Sequence, residues 1–220
     1  MPRNKYPEET RKKILDTSLK LFLEKGYDET TVLDIVGRLG GLTRGAFYHH
    51  FKSKEEVLDA IFENCFIDRH PVKQALDAEV ANGQERLKLA LKYGLESNFA
   101  DEEIGDLSRL AMSLMQQPRF LAEQVKGNQE TAAFLEPMVA EGMADGSIKP
   151  GNPKLVAELM MLLINFWLLP DIFPCSMEET IEKAEIISQV LNELLGFEIF
   201  DDDMEENFMK LADMFGWGDS

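Results

Sequence analysis

The chain has 220 residues, 45% of them hydrophobic, which suffices for one or two domains with a real core. Cys65 and Cys175 form no C-x-x-C pair, the first residues hold no apolar signal segment, and the longest uncharged apolar run (159–170) is too short to span a bilayer. We therefore expect a cytoplasmic protein without a disulfide framework or membrane contact, and the net charge of −17 argues at first sight against a nucleic-acid partner.

The first predicted helix covers residues 8–25. Ile14, Leu19 and Phe22 recur at helical spacing, and Gly26 suits the C-terminal cap. Basic residues lie ahead of this helix or in its first turns: Arg3, Lys5, Arg11, Lys12 and Lys13. These side chains suit contacts with a phosphate backbone and plain solvation equally well.

Residues 30–54 predict two short helices joined by a glycine turn. Thr31 is the expected N-cap of the first helix, and Asp34 favours the same helix start. Gly40-Gly41 ends that helix, because glycine adopts the left-handed cap conformation without a Cβ penalty. Thr43 caps the next helix. Two helices with such a turn form the helix-turn-helix pattern, whose second helix enters the DNA major groove.

The second of these helices carries side chains suited to duplex DNA. An arginine suits a guanine edge or a phosphate, hydroxyl and imidazole groups donate to phosphate oxygens, and small residues let the backbone approach closely. A capping box from Ser53 to Glu56 follows, and its lysine offers a charge to a phosphate. The expected DNA contacts are Thr31, Thr43, Arg44, Gly45, Ala46, Tyr48, His49 and Lys54.

Residues 11–61 resemble the DNA-binding domain of TetR-family transcriptional regulators. The matching elements are Gly26-Tyr27, Thr31 to Val36, the turn Gly40 to Thr43, and the run Y-H-H-F-K-S-K from Tyr48 to Lys54. Val36 and Gly40 stand where alanine is common in the family, which is a mild departure. The resemblance implies a helical body with a small-molecule pocket, and a dimer in which the last two long helices pair with their copies.

The charge is unevenly distributed along the chain. Residues 1–54 hold eleven Lys/Arg and seven Asp/Glu, a net +4, which leaves −21 on the other 166 residues. A basic head on an acidic body would bind DNA in one orientation, although an acidic body is also ordinary solubility chemistry. We therefore expect a DNA-binding head over residues 1–54 and a body over 55–220, joined by a helix at 53–70.

The body predicts helices only, so the expected fold class is all-α: a three-helix helix-turn-helix domain followed by a helical bundle. The helix from Ser53 should stop near His70-Pro71. Breaks at proline, glycine and asparagine residues delimit the later helices, at about 84–99, 103–116, 118–144, 153–170, 176–196 and 201–215.

Two of these helices suit an oligomer interface. Residues 155–170 are apolar nearly all round, and residues 176–196, which open with a capping box from Ser176 to Glu179, carry an apolar stripe. A two-fold dimer would also present two recognition helices to successive major grooves about 34 Å apart. The residues alone also allow both helices to fill a monomer core.

Flexible methionines and flat aromatic rings in the body could line an adaptable apolar pocket, and equally could fill a core. The expected pocket residues are Phe99, Met112, Met115, Phe120, Phe134, Met138, Phe166 and Trp167.

Catalysis, a metal and a cofactor are not indicated. The body holds one histidine, His70, and no Gly-rich phosphate loop. His49 and His50 point about 100° apart on a helix, which suits chelation of one ion poorly. The sequence predicts a ligand-responsive repressor that binds a palindromic double-stranded operator as a homodimer. The alternative is a helix-turn-helix architectural or protein-binding factor without an inducer.

Overall fold

The computed structural model describes residues 7–66, 71–100, 102–115 and 117–217. Every regular element in these ranges is a helix, which confirms the all-α prediction. The α-helices are α1 Pro7–Lys25, α2 Val32–Arg38, α3 Arg44–His50, α4 Lys54–Phe66, α5 Pro71–Gln74, α6 Gly83–Ala100, α7 Glu102–Ser113, α8 Pro118–Asp145, α9 Pro153–Leu162, α10 Met177–Leu195 and α11 Asp202–Met214. The basic residues Arg3 and Lys5 and the body histidine His70 lie outside the described residues.

The chain forms two compact units, and the first comprises residues 1–69 together with 106–110. In it, α1 packs on α2 and α4, and α2 packs on α3. Apolar side chains from each of these helices are fully buried, namely Ile14, Ile35, Phe47 and Leu58. The expected boundary between residues 54 and 55 falls inside this unit, at the first residue of α4.

The second unit comprises residues 70–105 and 111–220. Its main core joins α6, α8, α9 and α10 through side chains that exclude water completely, among them Leu87, Leu135, Met160 and Leu191. A smaller core at the C-terminal end joins Met115, Leu169, Ala212 and Trp217. The acidic helix α11 therefore packs on the body through its apolar side.

Two elements differ from the sequence prediction. Pro71 does not merely stop a helix, because it is the first residue of the short helix α5, where its fixed φ suits a helix start. The expected helix 153–170 is α-helical only to Leu162 and continues as a π-helical turn over Leu163–Trp167. The backbone N–H of Leu168 donates to Leu163 O at 3.1 Å, five residues back. Periodicity cannot separate a π-turn from an α-turn in a segment this uniformly apolar.

Candidate nucleic-acid interface

The start of α2 is fixed by a reciprocal capping box. The Thr31 hydroxyl accepts from the backbone N–H of Asp34 at 3.2 Å, and Asp34 Oδ2 accepts from the backbone N–H of Thr31 at 2.8 Å. Asp34 Oδ2 also accepts from the Thr31 hydroxyl at 2.6 Å and lies 2.9 Å from Lys25 Nζ. The bond from Thr31, followed by the bond from Lys25, holds the pKa of Asp34 well below its ordinary value. Thr31 is exposed at the helix end, as its expected role requires.

Ion pairs that the sequence did not reveal hold α2 on α1. The guanidinium of Arg38 donates to both carboxylate oxygens of Glu24, at 2.7 and 3.3 Å. This fork holds the pKa of Glu24 below its ordinary value. The partners are separated by 14 residues along the chain, so no local pattern marks them as neighbours.

The turn between α2 and α3 depends on its two glycines. Gly40 has φ +50° and Gly41 has φ +101°, conformations that residues with a Cβ rarely adopt. After this turn the Thr43 hydroxyl accepts from Ala46 N at 3.1 Å and begins α3. The predicted caps at Thr31 and Thr43 are thus both confirmed.

Helix α3 has one buried side and one exposed side. Phe47 is buried completely, and Phe51 at the helix end is 2% exposed. Thr43, Arg44, Gly45, Tyr48 and His49 are exposed, and Ala46 is half-buried at the edge of this side. The structure therefore brings six of the eight expected DNA contacts onto one short helix and its cap, with a hydrophobic anchor behind them.

Two contacts define the shape of this exposed side. The Arg44 guanidinium lies over the Tyr48 ring, 5.6 Å from its centroid, and Tyr48 stands edge-on to Phe47 at 5.5 Å. A Cβ on Gly45 would approach only the Thr43 hydroxyl, at 3.9 Å. The fold therefore leaves room for a side chain at position 45, although the sequence has none.

The two histidines differ in environment. His49 is exposed, whereas His50 is half-buried. Burial, followed by the neighbouring His49, lowers the pKa of His50 below its ordinary value. Within the described residues, no group of three or more His, Cys, Asp or Glu side chains is arranged to hold a metal ion.

Lys54 has its ammonium group directed to the protein. Its Nζ donates to the carbonyls of Tyr27 at 2.6 Å and Asp28 at 3.2 Å, and lies 4.2 Å from the Tyr27 ring centroid. This placement differs from the solvent-facing charge that the capping-box pattern suggested. The Ser53 hydroxyl does cap α4, accepting from Glu56 N at 3.2 Å.

The residues expected to line a ligand pocket are dispersed through the second unit. Met138 is completely buried in the main core, Met115 lies in the C-terminal core beside Met112, and Phe99 is 41% exposed. Phe134 packs against the main core; Phe120 and Phe166 are half-buried.

A cleft in the second unit has a volume of about 440 Å³ and includes Trp167 from the expected set. Its other lining residues were not expected from the sequence: Ile172, Phe173, Pro174, Cys175, Glu179, Glu182, Lys183 and Ile186. They follow the π-turn and reach into α10, a region without a sequence signal for a cavity.

Helices in the described ranges are too short or too polar to cross a membrane.

Comparison with known proteins agrees with this geometry. The family model for bacterial regulatory proteins of the tetR family matches residues 14–61. The HTH-type transcriptional repressor KstR2 of Mycobacterium tuberculosis is 31% identical over 143 residues, which cover 64% of this chain and 70% of the repressor. The HTH-type transcriptional regulator YhgD of Bacillus subtilis is 27% identical over 162 residues, covering 70% of this chain and 79% of YhgD.

Solved structures share the fold across both units. SmeT, the repressor of the Stenotrophomonas maltophilia multidrug efflux pump SmeDEF, aligns with a TM-score of 0.66 over 89% of this chain and 95% of its own, at 22% identity. The resemblance first drawn from residues 11–61 is confirmed. The chain belongs to the TetR family of helix-turn-helix transcriptional regulators.

Proposed function

We propose that this regulator is a repressor that binds a palindromic operator as a homodimer and leaves it when a small molecule binds the body. The observation that carries the proposal is the exposed side of α3, anchored from behind by Phe47 and Phe51. Its action belongs in the cytoplasm, where operator DNA is accessible. KstR2 is named a repressor, and this supports the same sign of regulation here.

The DNA contacts divide into reading and positioning groups. Arg44 presents a planar fork that matches the two acceptors of a guanine edge. Thr43, Tyr48 and His49 donate to phosphates and set the register of α3 in the groove, whereas the hydroxyl and the backbone N–H of Thr31 already donate to Asp34. Gly45 and Ala46 allow the helix backbone to approach the duplex closely.

Exposed apolar stripes on two helices support the homodimer. On α9, Leu155, Leu159 and Leu162 are 58%, 39% and 54% exposed and recur at helical spacing. On α10, Ile186 and Val190 are 47% and 43% exposed, one turn apart. A second copy of the chain would cover these stripes, since a soluble monomer rarely leaves such residues in water.

In this proposal each domain has its own role. Residues 1–54 bind DNA, and residues 55–220 form the dimer and bind the effector.

The cleft beside Trp167 is our candidate site for the effector. It combines aromatic walls with the charged groups of Glu182 and Lys183, a combination that suits small ligands. SmeT has been solved in complex with triclosan, and its chain aligns with this one at a TM-score of 0.62. Binding in the body would shift α4, change the separation of the two heads, and so weaken binding to two grooves of fixed spacing.

The test is selection of bound sequences from a random duplex pool by the full chain, followed by affinity measurements across a salt series. A sequence-specific dimer enriches a palindrome with two half-sites. Salt-dependent binding without enrichment would contradict the proposal and favour an architectural factor that grips phosphates alone. Matching the enriched palindrome to a genome then identifies the regulated genes and a set of metabolites to test as effectors.

A further inference from the structure

Cys175 and Lys183 are in direct contact at the cleft beside Trp167. Lys183 Nζ donates to Cys175 Sγ at 3.0 Å and to the backbone oxygen of Phe173, also at 3.0 Å. Both side chains are half-buried and line the cleft, so a small molecule there reaches the sulfur and the nitrogen together. The two atoms form a nucleophilic pair that reversible binding of an effector does not use.

The start of α10 holds both members of the pair. The sulfur lies 3.3 Å from the hydroxyl of Thr180, a side chain that is completely buried. That hydroxyl donates to the backbone oxygen of Ser176, the N-cap residue of α10, at 3.0 Å. Thr180 and Lys183 are three residues apart on one helix and therefore share a face. The first two turns of α10 thus keep the sulfur and the nitrogen close together.

The separation of 3.0 Å suits formation of a bond between sulfur and nitrogen. Reacting atoms about 3–3.5 Å apart are in a near-attack arrangement. An oxidised cysteine, the sulfenic acid, condenses with a neighbouring nitrogen to a sulfenamide. The nitrogen in contact with this sulfur belongs to a lysine, whose neutral amine is a stronger nucleophile than a backbone amide.

We propose that Cys175 and Lys183 form an oxidation-responsive pair, in which an organic hydroperoxide in the cleft causes a covalent bond between Sγ and Nζ. The thiolate attacks the terminal peroxide oxygen and the O–O bond breaks. The leaving alkoxide takes a proton from the Lys183 ammonium, which gives an alcohol, a sulfenic acid and a neutral amine. The amine nitrogen then attacks the sulfenic sulfur, the S–O bond breaks, and water leaves.

This sequence of steps is balanced without a further reactant. The sulfur is oxidised by two electrons and the hydroperoxide is reduced to an alcohol and one water. Lys183 acts twice, first as the proton donor and then as the nucleophile. An arginine at this position would keep the charge and the donors, but its guanidinium cannot be deprotonated and would not form the bond.

The bond would change the cleft and the neighbouring helix surface. It removes the positive charge of Lys183 from a cleft that Glu179 and Glu182 also line. It ties the segment before α10 to the helix three residues before Ile186, which belongs to the exposed stripe that a second copy would cover. We expect the altered packing there to weaken operator binding. This effect rests on the function proposed above, whereas bond formation is a property of the chain alone.

Peptide mass mapping of the full chain, treated with cumene hydroperoxide, tests whether the bond forms. Trypsin releases residues 155–183 as one peptide, since no Lys or Arg lies between Lys154 and Lys183. A bonded Lys183 resists trypsin, so the peptide extends to Lys210 and weighs two hydrogen atoms less than its linear sequence. Lys183→Arg is the matched variant without a nucleophilic amine, and Cys175→Ser removes the sulfur.

We expect the peptide 155–210 in the treated wild type, and its return to 155–183 after reduction with dithiothreitol. Neither variant should yield the longer peptide, and dimedone should label Cys175 as a sulfenic acid in treated Lys183→Arg. Operator affinity of the treated wild type should fall about tenfold and recover on reduction, whereas that of treated Lys183→Arg should change less than about twofold. Lys183→Met replaces Lys183→Arg if that variant does not fold.

Either of two results would overturn the assignment. Complete tryptic cleavage after Lys183 in the treated wild type shows that no N–S bond forms, including the case in which Cys175 is joined to Cys65 in a disulfide. Unchanged operator affinity of the bonded chain shows that the pair does not regulate DNA binding. If the wild-type chain enriches no operator, the proposed function fails, and peptide mapping alone still decides whether the bond forms.

Discussion

The polar side chains of the helix-turn-helix form two groups: those that hydrogen-bond within the protein and those that are exposed to solvent. Thr31, Asp34 and Lys54 direct hydrogen-bonding groups at the protein's own backbone and side chains. Arg44 and His49 stand exposed on α3. Substitutions in the first group therefore test the geometry of the head, and substitutions in the second test recognition.

Replacing Arg44 by Ala should lower operator affinity by about 1–3 kcal/mol and relax base preference at one position in each half-site. The contact with the Tyr48 ring at 5.6 Å orients the guanidinium along the helix face. Arg44→Lys keeps the charge but loses the planar fork, so it should lose preference while retaining the salt slope. Affinities for single-base variants of the operator measure both effects, and an unchanged preference in Arg44→Ala would remove this residue from base reading.

A substitution at Gly45 should affect stability and DNA binding in opposite directions. Because a Cβ fits there without a close contact, Gly45→Ala should stabilise the protein by up to about 1 kcal/mol. The added methyl should nevertheless weaken operator binding, since it holds the helix away from the duplex. Gly37→Ala on α2, where a Cβ also meets open space, is the control that should stabilise without weakening. Thermal unfolding and operator titration of both variants make the comparison, and equal affinities would show that α3 does not approach the duplex at position 45.

Asp34 should make stability depend on pH in the acid range. Its pKa in the folded protein lies below the ordinary value of 3.8, so its contribution to the free energy of unfolding is fully present above that value. The contribution is lost as the pH falls through the lower folded-state pKa. The wild type should therefore exceed Asp34→Asn in urea stability at neutral pH, and the difference should shrink in acid.

Asp16→Asn, at an exposed position of α1, is the control that removes one carboxylate without touching the capping box of α2. A difference between wild type and Asp34→Asn that persists undiminished at the lowest pH would show that it does not arise from the charge of Asp34.

At the scale of helices and turns, the sequence predicts where a helix begins better than where its hydrogen bonding becomes irregular. Thr31, Thr43 and Ser176 each mark a helix start through a side chain that bonds three residues ahead, so a short window contains the whole signal. The Arg38–Glu24 fork joins residues 14 apart in the chain, so no short window contains both partners. The π-turn at Leu163–Trp167 lies in a uniformly apolar run, whose pattern does not distinguish it from an α-turn.

The apolar stripe of α9 provides the test of dimerisation. Leu162→Glu places a charge on a side chain that is 54% exposed in one chain, so it should cost the monomer little. In a two-fold dimer it buries two like charges, and we expect dissociation and weaker operator binding. Leu121→Glu on α8, at 39% exposure, is the matched control and should remain dimeric. Sedimentation of both variants measures the mass, and an unchanged dimer of Leu162→Glu would place the interface elsewhere.

At the scale of the whole chain, the placement of the expected DNA contacts was far more predictable than the placement of the expected pocket residues. Most of the expected DNA contacts follow the Thr43 cap closely in the sequence, and the fold keeps them together on α3. The expected pocket residues come from separate helices, and whether Met138 faces a core or a cavity depends on how those helices pack. Methionine and aromatic residues are as common in a core as in a cavity. For that reason the cleft beside Trp167 could not be inferred from composition.

A homodimer should require a fixed distance between operator half-sites. Inserting five base pairs between them turns one half-site by about half a helical turn and should abolish specific binding. Inserting a full helical turn puts both half-sites back on the same side of the DNA but adds about 34 Å between them. We therefore expect this operator to lose specific binding as well. Footprinting on the three operators measures protection of each half-site. Undiminished protection after either insertion would mean that single chains bind independently.

The π-turn has a consequence for comparing chain lengths within the family. Its wider ring, closed by Leu168 N and Leu163 O, contains one residue more than an α-turn between the same flanks. Loss of one codon between 163 and 167 could therefore be absorbed by conversion to an ordinary turn. Relatives one residue shorter in an alignment should show their gap at this place, with the registers of both flanking segments preserved.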